Sequence, residues 1–595
     1  MNKLSKFIAL GMLGLMFVLM FFSSWNDTAT FDEIAHIAAG YSYLTQQDYR
    51  LNPEHPPLIK DLSAIPLLFL KLNFPTNIKA WTEDVNGQWE VGRIFLYESG
   101  NNPDRILRFA RFPIMLLTLL FGWLLFIWVS RLYGNKVGLL TLFFFSFSPT
   151  IIAHSRYVTT DLAAAFGFFI GIVTFINFLN NQTKKNLVIA GIVFGAVQLL
   201  KFSLIILAPI YLILAVLWVF LEKSNYLKII GKVILIGIIG LIIIWLVYQF
   251  HVWNYPAERQ IQDIKAILTS PGAKPFAKLI TWISEKRIFQ GLGEYLFGLL
   301  MIIQREVGGN AAYFLGTVSA SGSYFYFPLL FLTKEPLAFL ILAFIALIFG
   351  VSNIIKTKEK SLKITLEWMH DNFALTASMI FVGIYFLQAI TGNLNIGFRH
   401  ILPILPFIYF LVARQIIRWQ RGFFIEEPQN IFQWFKYIYN TYIKSLERYS
   451  IVATLLLWFF LSTLITFPYY LSYFNILGGG IWNGYKIATD SNYDWGQDLK
   501  RLVNFVNENN IQEIKLDYFG GGSPQYYLGD KFEPWWSARG EPPTGSWLAV
   551  SANSLEGAIA KPVRGFIVKP EDSYSWLKDK NPVARAGSSI FIYKF

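Results

Sequence analysis

Asp32, Glu33 and His36 fall in one short stretch, FDEIAHIAAGYSYL, just after a hydrophobic run, and Glu54 and His55 follow in RLNPEHPPLIKDL. Carboxylates and imidazoles are the side chains that most often take and give protons in general acid–base chemistry. Acids and histidines beside a membrane exit are solvated and need not cluster. Their clustering points to chemistry on a lipid-borne substrate, while an ordinary polar loop explains the acidic pair alone. A second acidic site, Asp161, lies in HSRYVTTDLAAAF with His154 and Arg156 close by. Thr160 can cap the following helix and Asp161 in its first turn complements the helix dipole. That accounts for Asp161 without chemistry, but not for Arg156 or His154. Lys201 is the odd charge in LLKFSLIIL. It either snorkels to water or neutralises a lipid phosphate, since ionisable residues at membrane depth are functional candidates by default. Arg399 and His400, in NIGFRHILPILP, enter another apolar run and form a second candidate phosphate clamp. Arginine would bind through its planar fork and lysine as a point charge.

These residues need elements to hold them. Pro56 and Pro57 stiffen the backbone after His55 and end any helix before them. Lys60 and Asp61 then open a stretch whose Leu62, Ile65 and Leu68 make an apolar face suited to a membrane interface. A proline turn entering a surface helix explains the same pattern. Of 595 residues 54% are hydrophobic and 15% charged, with a mean hydropathy of +0.43, which excludes an ordinary soluble domain. Crossing a bilayer takes about 20 apolar residues. Eleven segments are expected to do so: 7–25, 112–130, 137–153, 160–180, 187–200, 203–221, 233–250, 336–354, 374–392, 400–418 and 451–470. The exit of the first, FFSSWNDTATF, lacks the small-residue pattern of a signal cleavage site, so this span is expected to stay.

Positive charge then sets orientation. Lys3 and Lys6, Arg131 and Lys136, Lys184 and Lys185, the group Lys223, Lys228 and Lys232, the group Lys356, Lys358, Lys360 and Lys363, and the group Arg414, Arg418, Arg421, Lys436, Lys444 and Arg448 all fall on one side if there are eleven spans. This places the amino terminus in the cytoplasm. The net charge of +13 then reads as a topology signal, and no nucleic-acid partner is expected. The opposite side carries the loops 26–106 and 251–335 and everything after Tyr470. Five of the six histidines lie there, all but His370. No cysteine is present, so neither disulfides nor thiolate metal sites hold the outer parts. From about residue 478 the pattern changes. Leu499, Leu502, Val503 and Val506 have helical spacing, and EIKLDYFG, SWLAVSAN and SSIFIYKF read as strands. The expected division is a membrane domain over 1–477 and a small α/β domain outside the membrane over 478–595.

DE at 32–33, HPPLIK at 55–60 and SRYVTTD at 155–161 resemble the dolichyl-phosphate-mannose–protein mannosyltransferases and the related bacterial lipid-linked glycosyltransferases, including the aminoarabinose transferases of lipid A. LLKFS at 199–203 is more loosely similar, and SGSYFYFPLLFLTKEPL, NIGFRHILPILP and DSNYDWGQDLKRL look like a bacterial branch. The tail shows no likeness to the β-trefoil domains of the eukaryotic enzymes. The resemblance implies a polytopic α-helical membrane protein of GT-C type with about eleven transmembrane helices and the small α/β C-terminal domain, seated in a bacterial plasma membrane. It implies transfer of a hexosyl or pentosyl group from a polyprenyl-phosphate donor to an acceptor hydroxyl on protein, lipid or glycan, with inversion. The family's acidic pair supplies the base, which carries over to Asp32 with Glu33 beside it as a catalytic residue, and Asp161 is a third catalytic acid. Lys201 and Arg399, with Arg156, His55 and Lys60, would hold the donor phosphate, and His36 and His400 are further site candidates. Glu54 loosely matches an acid that lies near a divalent metal in the aminoarabinose transferases. A transporter or flippase of lipid-linked sugars is the alternative. It calls for mid-membrane charge or broken helices, often with repeated halves; the sequence displays no repeat, and its unusual charges cluster at one face.

Overall fold

A helix of 21 residues rises about 31 Å, the thickness of a hydrocarbon core. In the computed structural model, which describes residues 2–356, 361–421, 431–439, 444–569 and 571–595, nine helices among the described residues are long and apolar enough to cross a membrane. They are Lys3–Ser23, Pro103–Tyr133, Asp161–Asn180, Phe202–Glu222, Tyr226–His251, Leu337–Ile355, Phe373–Thr391, Phe398–Gln420 and Lys444–Thr466. Phe220, Ile234, Leu246, Phe344 and Leu347 on these helices are exposed. Apolar side chains in such a band face lipid, and helices satisfy their own backbone there. The chain is an integral membrane protein.

The two expected spans that fall short have identifiable breaks. The segment 137–153 divides into Asn135–Phe147 and Pro149–His154. Ser148 takes an extended conformation, its side chain accepts the Ile151 N–H, and Pro149 opens the next helix, as its missing N–H allows. The segment 187–200 is the 15-residue helix Lys184–Gln198, which ends just before Lys201 in extended backbone. Lys358 and Lys360 of the positive clusters lie outside the described residues.

Beyond the helices the tail forms a five-stranded sheet in the order Phe532–Pro534, Ile514–Asp517, Trp547–Ser551, Ile590–Lys594, Ala584–Ala586. The first three strands run parallel and the last two antiparallel to their neighbours. Leu499, Leu502 and Val506 of helix Leu499–Glu508 pack with Ile514 and Leu516 of the sheet, as their spacing suggests. A second sheet ties the tail to an outer loop. The hairpin Ala312–Phe314 and Thr317–Ser319 is extended by Lys561–Val563, parallel to its second strand.

The tail is also bolted to the first loop. Asp27 is buried between Arg156 at 3.1 Å and Arg501 at 2.9 Å, and the Thr28 and Phe31 N–H groups donate to the Gln497 and Trp495 carbonyls. Asp498, fully buried, accepts from the backbone N–H groups of Ser588 and Ser589 and from the Ser589 hydroxyl. Buried charges persist only when paired and hydrogen-bonded, and here each has several partners.

Candidate active site

Helix Phe31–Gln46 begins with a capping box in which Glu33 reaches back to the Thr30 N–H at 2.9 Å. Adjacent residues on a helix point about 100° apart, so Asp32 and Glu33 meet different surroundings. Glu33 is fully buried against Arg111, accepting from its Nε at 2.8 Å and Nη2 at 2.7 Å, and also accepts the Val158 N–H at 3.0 Å. All its acceptor capacity goes into the fold, and Glu33 does not line the cavity that Asp32 opens on. The Asp32 side chain is 19% exposed and opens on a cavity of about 140 Å³.

That cavity collects residues from loops far apart in sequence: Asp32, His36, Glu54, His55, Thr160, Asp161, Lys201, Arg305, Glu306, Arg399 and His400, with Phe31 and Trp89 as aromatic walls. All lie on the side of the bundle to which the charge pattern assigned the outer loops. A chain of charges runs through it. Lys201 Nζ is 2.6 Å from Asp161, and Arg399 Nη1 is 3.4 Å from Asp161 and 2.6 Å from Asp32. Asp161 does stand in the first turn of its helix, as expected, but the Thr160 cap is corrected. Thr160 makes no side-chain cap, and the Asp161 carboxylate spans two cations instead.

Local backbone sets these positions. Lys201 projects from the extended break between helices. Arg399 follows Gly397, where a Cβ would collide with Ser491 Oγ, and the next N–H, of Phe398, donates to Asn492 at 2.8 Å. The guanidinium lies 4.4 Å over Trp495, a cation–π contact that fixes its plane. Arg399 Nε and His400 Nε2 are buried without a hydrogen-bond partner among the described residues. Buried polar atoms left unmatched cost free energy and call for an explanation.

His36 and His55 stand edge to face, 5.0 Å apart. His36 Nδ1 donates to the Val158 carbonyl at 2.8 Å, leaving Nε2 for other partners. Burial pushes His36 below the usual histidine range despite Asp32 nearby. Burial pushes His55 well below it, reinforced by His36 and the surrounding cations. His55 is therefore a neutral hydrogen-bonding ring in the cavity wall.

Two expected phosphate binders lie elsewhere. Arg156 is buried on Asp27, bolting the tail. Lys60 is fully buried, its Nζ donating to Tyr43 Oη at 2.7 Å, to Asn52 Oδ1 at 3.0 Å and to the His55 carbonyl at 2.7 Å. Burial holds it well below the usual lysine range. It braces the His55 corner from beneath, while Ile65, Leu68 and Phe69 are exposed. The stretch from 58 thus turns its lysine inward and its apolar face outward.

Glu54 does not offer a metal site. Its oxygens accept from Gln88 Nε2 at 3.2 Å and Arg305 Nη1 at 3.0 Å, and among the described residues no three His, Asp or Glu side chains converge for an ion. A guanidinium beside a carboxylate competes with a cation, so this donor set does not fit.

Arg305, Glu306 and Asp490 were missed at the sequence level. Arg305 and Glu306 close an apolar helix, Gln290–Gly308, and a charged pair ending an amphipathic helix reads as a solvated terminus. Asp490 sits at positive φ, +56°. Burial beside Asp32 pushes it up to about 6 even with Arg399 close by. Its signal was the density of acids in DSNYDWGQD.

Residues 106–248 match the family model described as dolichyl-phosphate-mannose-protein mannosyltransferase. The matched segment contains Arg111, Arg156, Asp161 and Lys201. No curated protein matches the chain. Among solved structures, the chain is similar to ArnT from Cupriavidus metallidurans in the apo state, at 11% identity and a TM-score of 0.47, over 99% of this chain and 98% of that one. It is similar to the archaeal oligosaccharyltransferase AglB from Archaeoglobus fulgidus, solved with an inhibitory peptide and a dolichol-phosphate, at 12% identity and a TM-score of 0.43. There it spans 78% of its own length and 56% of the archaeal chain. The S. cerevisiae Pmt1–Pmt2 complex, bound to its sugar donor, matches 42% of this chain and 34% of that one at 18% identity and a TM-score of 0.33.

Proposed function

We propose that the protein is a membrane glycosyltransferase that moves a hexosyl or pentosyl group from a polyprenyl-phosphate donor to an acceptor hydroxyl, with inversion at the anomeric carbon. The observation that carries this reading is the run Asp32–Arg399–Asp161–Lys201 along one cavity, with unpartnered Arg399 Nε and His400 Nε2 beside it. The mannosyltransferase family model over 106–248 supports it. The amino terminus then lies in the cytoplasm of a bacterial cell, with the cavity and the tail outside.

In this mechanism the donor phosphate binds between Lys201 and Arg399, and Asp161 holds both cations in place. The acceptor oxygen attacks the anomeric carbon from the face opposite the phosphate. Its proton passes to Asp32. The bond from the anomeric carbon to the phosphate oxygen breaks, its electron pair leaves with the phosphate, and a new glycosidic bond forms through an oxocarbenium-like transition state. Negative charge thus leaves Asp32 as it grows on the phosphate. Arg399, 2.6 Å from Asp32 at rest, follows the charge from one to the other, stabilising the leaving group where charge develops. The site's net charge stays constant through the step.

The helix breaks at Ser148–Pro149 and Lys201 are a feature transporters share, but the cavity charges come from loops and helix ends and not from mid-membrane, which favours transfer over translocation of the lipid-linked sugar. Incubating the purified full-length chain with a labelled polyprenyl-phosphate sugar and a mixture of acceptors tests the reading. Formation of free polyprenyl phosphate with labelled product supports it. Movement of intact donor between leaflets without bond cleavage overturns it.

A further inference from the structure

A second hollow, of about 120 Å³, lies behind the catalytic cavity. The two share one wall: Leu394 and Ile396 line the first, and Asn395 between them lines the second. The second hollow is lined by Thr317 and Ser319 of the hairpin's second strand, by Ser321 and Ser323 just after it, and by Val563 and Arg564 of the tail. Phe314 and Tyr326 supply two rings, 5.1 Å apart and inclined at 59°.

Several details mark this hollow as built. Gly322 allows the loop to touch the Gly392 carbonyl, which any Cβ would strike. The Ser323 N–H donates to Asn395 Oδ1 at 2.5 Å. Asn395 is only 4% exposed, and among the described residues its Nδ2 has no hydrogen-bond partner, leaving a buried donor without an acceptor. Tyr326 Oη accepts from Asn492 Nδ2 at 3.0 Å, and Asn492 Oδ1 accepts the Phe398 N–H. The hollow's wall is thereby joined to the segment that carries Arg399. Among the described residues no carboxylate lines it and Arg564 is its single charge, which already donates to the Gly322 carbonyl. Hydroxyls, an amide and aromatic faces without acid or base suit a neutral polyhydroxylated ring, with the few placed polar groups fixing its orientation.

Building on the transferase reading, we propose that this hollow is the acceptor subsite and that it takes a neutral sugar of a glycan acceptor, directing one hydroxyl past residues 394–396 toward Asp32. The tail then serves specificity by closing the subsite with Val563 and Arg564.

The test uses the full-length chain in lipid nanodiscs and saturation-transfer NMR without donor. The probes are methyl glucopyranoside, methyl galactopyranoside and methyl mannopyranoside, with a threonine-containing hexapeptide in parallel. At least one glycoside should give a signal that falls fivefold or more in Asn395→Asp, which keeps the acceptor for Ser323 but loses the free donor. The signal should vanish in Ser321→Leu, which fills the hollow, and persist in Asp32→Asn. Thermal unfolding confirms that each variant is folded, and Asn395→Asp alone decides if Ser321→Leu is not. A glycoside signal unchanged in Asn395→Asp, or a signal from the peptide only, overturns the assignment. Failure of the transferase reading looks different. Glycosides would then still bind in a manner sensitive to Asn395 while the wild type cleaves no polyprenyl-phosphate sugar.

Discussion

Replacing Glu33 by glutamine should unfold the protein more readily, whereas replacing its neighbour Asp32 by asparagine should stop turnover and leave stability nearly intact. Glu33 Oε1 accepts from Arg111 Nε and the Val158 N–H, and Oε2 accepts from Arg111 Nη2 and both Thr30 donors. A glutamine keeps one acceptor oxygen and puts an NH₂ in place of the other, so at least two buried donors face another donor. Each such loss costs about 1–3 kcal/mol, and uncoupling a buried ion pair costs about 3–5 kcal/mol. The two overlap, giving about 3–5 kcal/mol in all. Asp32 is partly exposed, and Arg399 keeps Asp161 when Asp32 is neutralised. Its pair is worth about 1 kcal/mol or less, while loss of a general base costs roughly 10²–10⁴-fold in rate. Thermal unfolding in detergent, followed by tryptophan fluorescence, is to be read beside turnover per folded molecule. Glu33→Gln should melt far below wild type yet retain activity at low temperature, and Asp32→Asn should do the reverse. A Glu33→Gln protein that melts like wild type but is inactive would refute the division of labour.

Arg399→Lys should weaken donor binding and slow transfer despite keeping the charge, because a point charge cannot bridge Asp32, Asp161 and a phosphate at once. Lys201→Ala should do the same, and donor titrations at saturating acceptor measure both. His36 and His55 are held below their ordinary range by burial, so the unfolded chain binds more protons than the folded one as pH falls through about 6.5. Stability should therefore decline below that pH, and His55→Asn should flatten the decline in a pH series of unfolding midpoints. Protease or reporter mapping should place residue 550 on the opposite side of the membrane from Lys184 and Lys185; finding both on one side would overturn the orientation.

Much of the architecture was legible because apolar length is a strong signal. Nine of the expected spans appear as helices long enough to cross, and the tail's helix and strands fall where periodicity put them. The short spans could not be resolved from hydropathy, since Ser148–Pro149 and the break at Lys201 interrupt helices without interrupting apolar sequence. Residue types marked Asp32, Asp161, Lys201, Arg399, His36, His55 and His400, all of which line one cavity. Sequence could not tell them from Glu33, Arg156 and Lys60, because the distinction rests on partners 78, 129 and 8 positions away: Arg111, Asp27 and Asn52. Asp490 was hidden for the same reason, being brought to Arg399 only by the threading of the tail through the outer loops.

Single-turnover transfer from a labelled polyprenyl-phosphate sugar, run with wild type and Asp32→Asn after each has been shown to bind the donor, tests the central claim most directly. The account predicts that wild type releases polyprenyl phosphate and forms a product of inverted anomeric configuration, and that Asp32→Asn binds the donor but transfers at least a hundredfold more slowly. Retained configuration in the product, or transfer by Asp32→Asn at the wild-type rate, would contradict it.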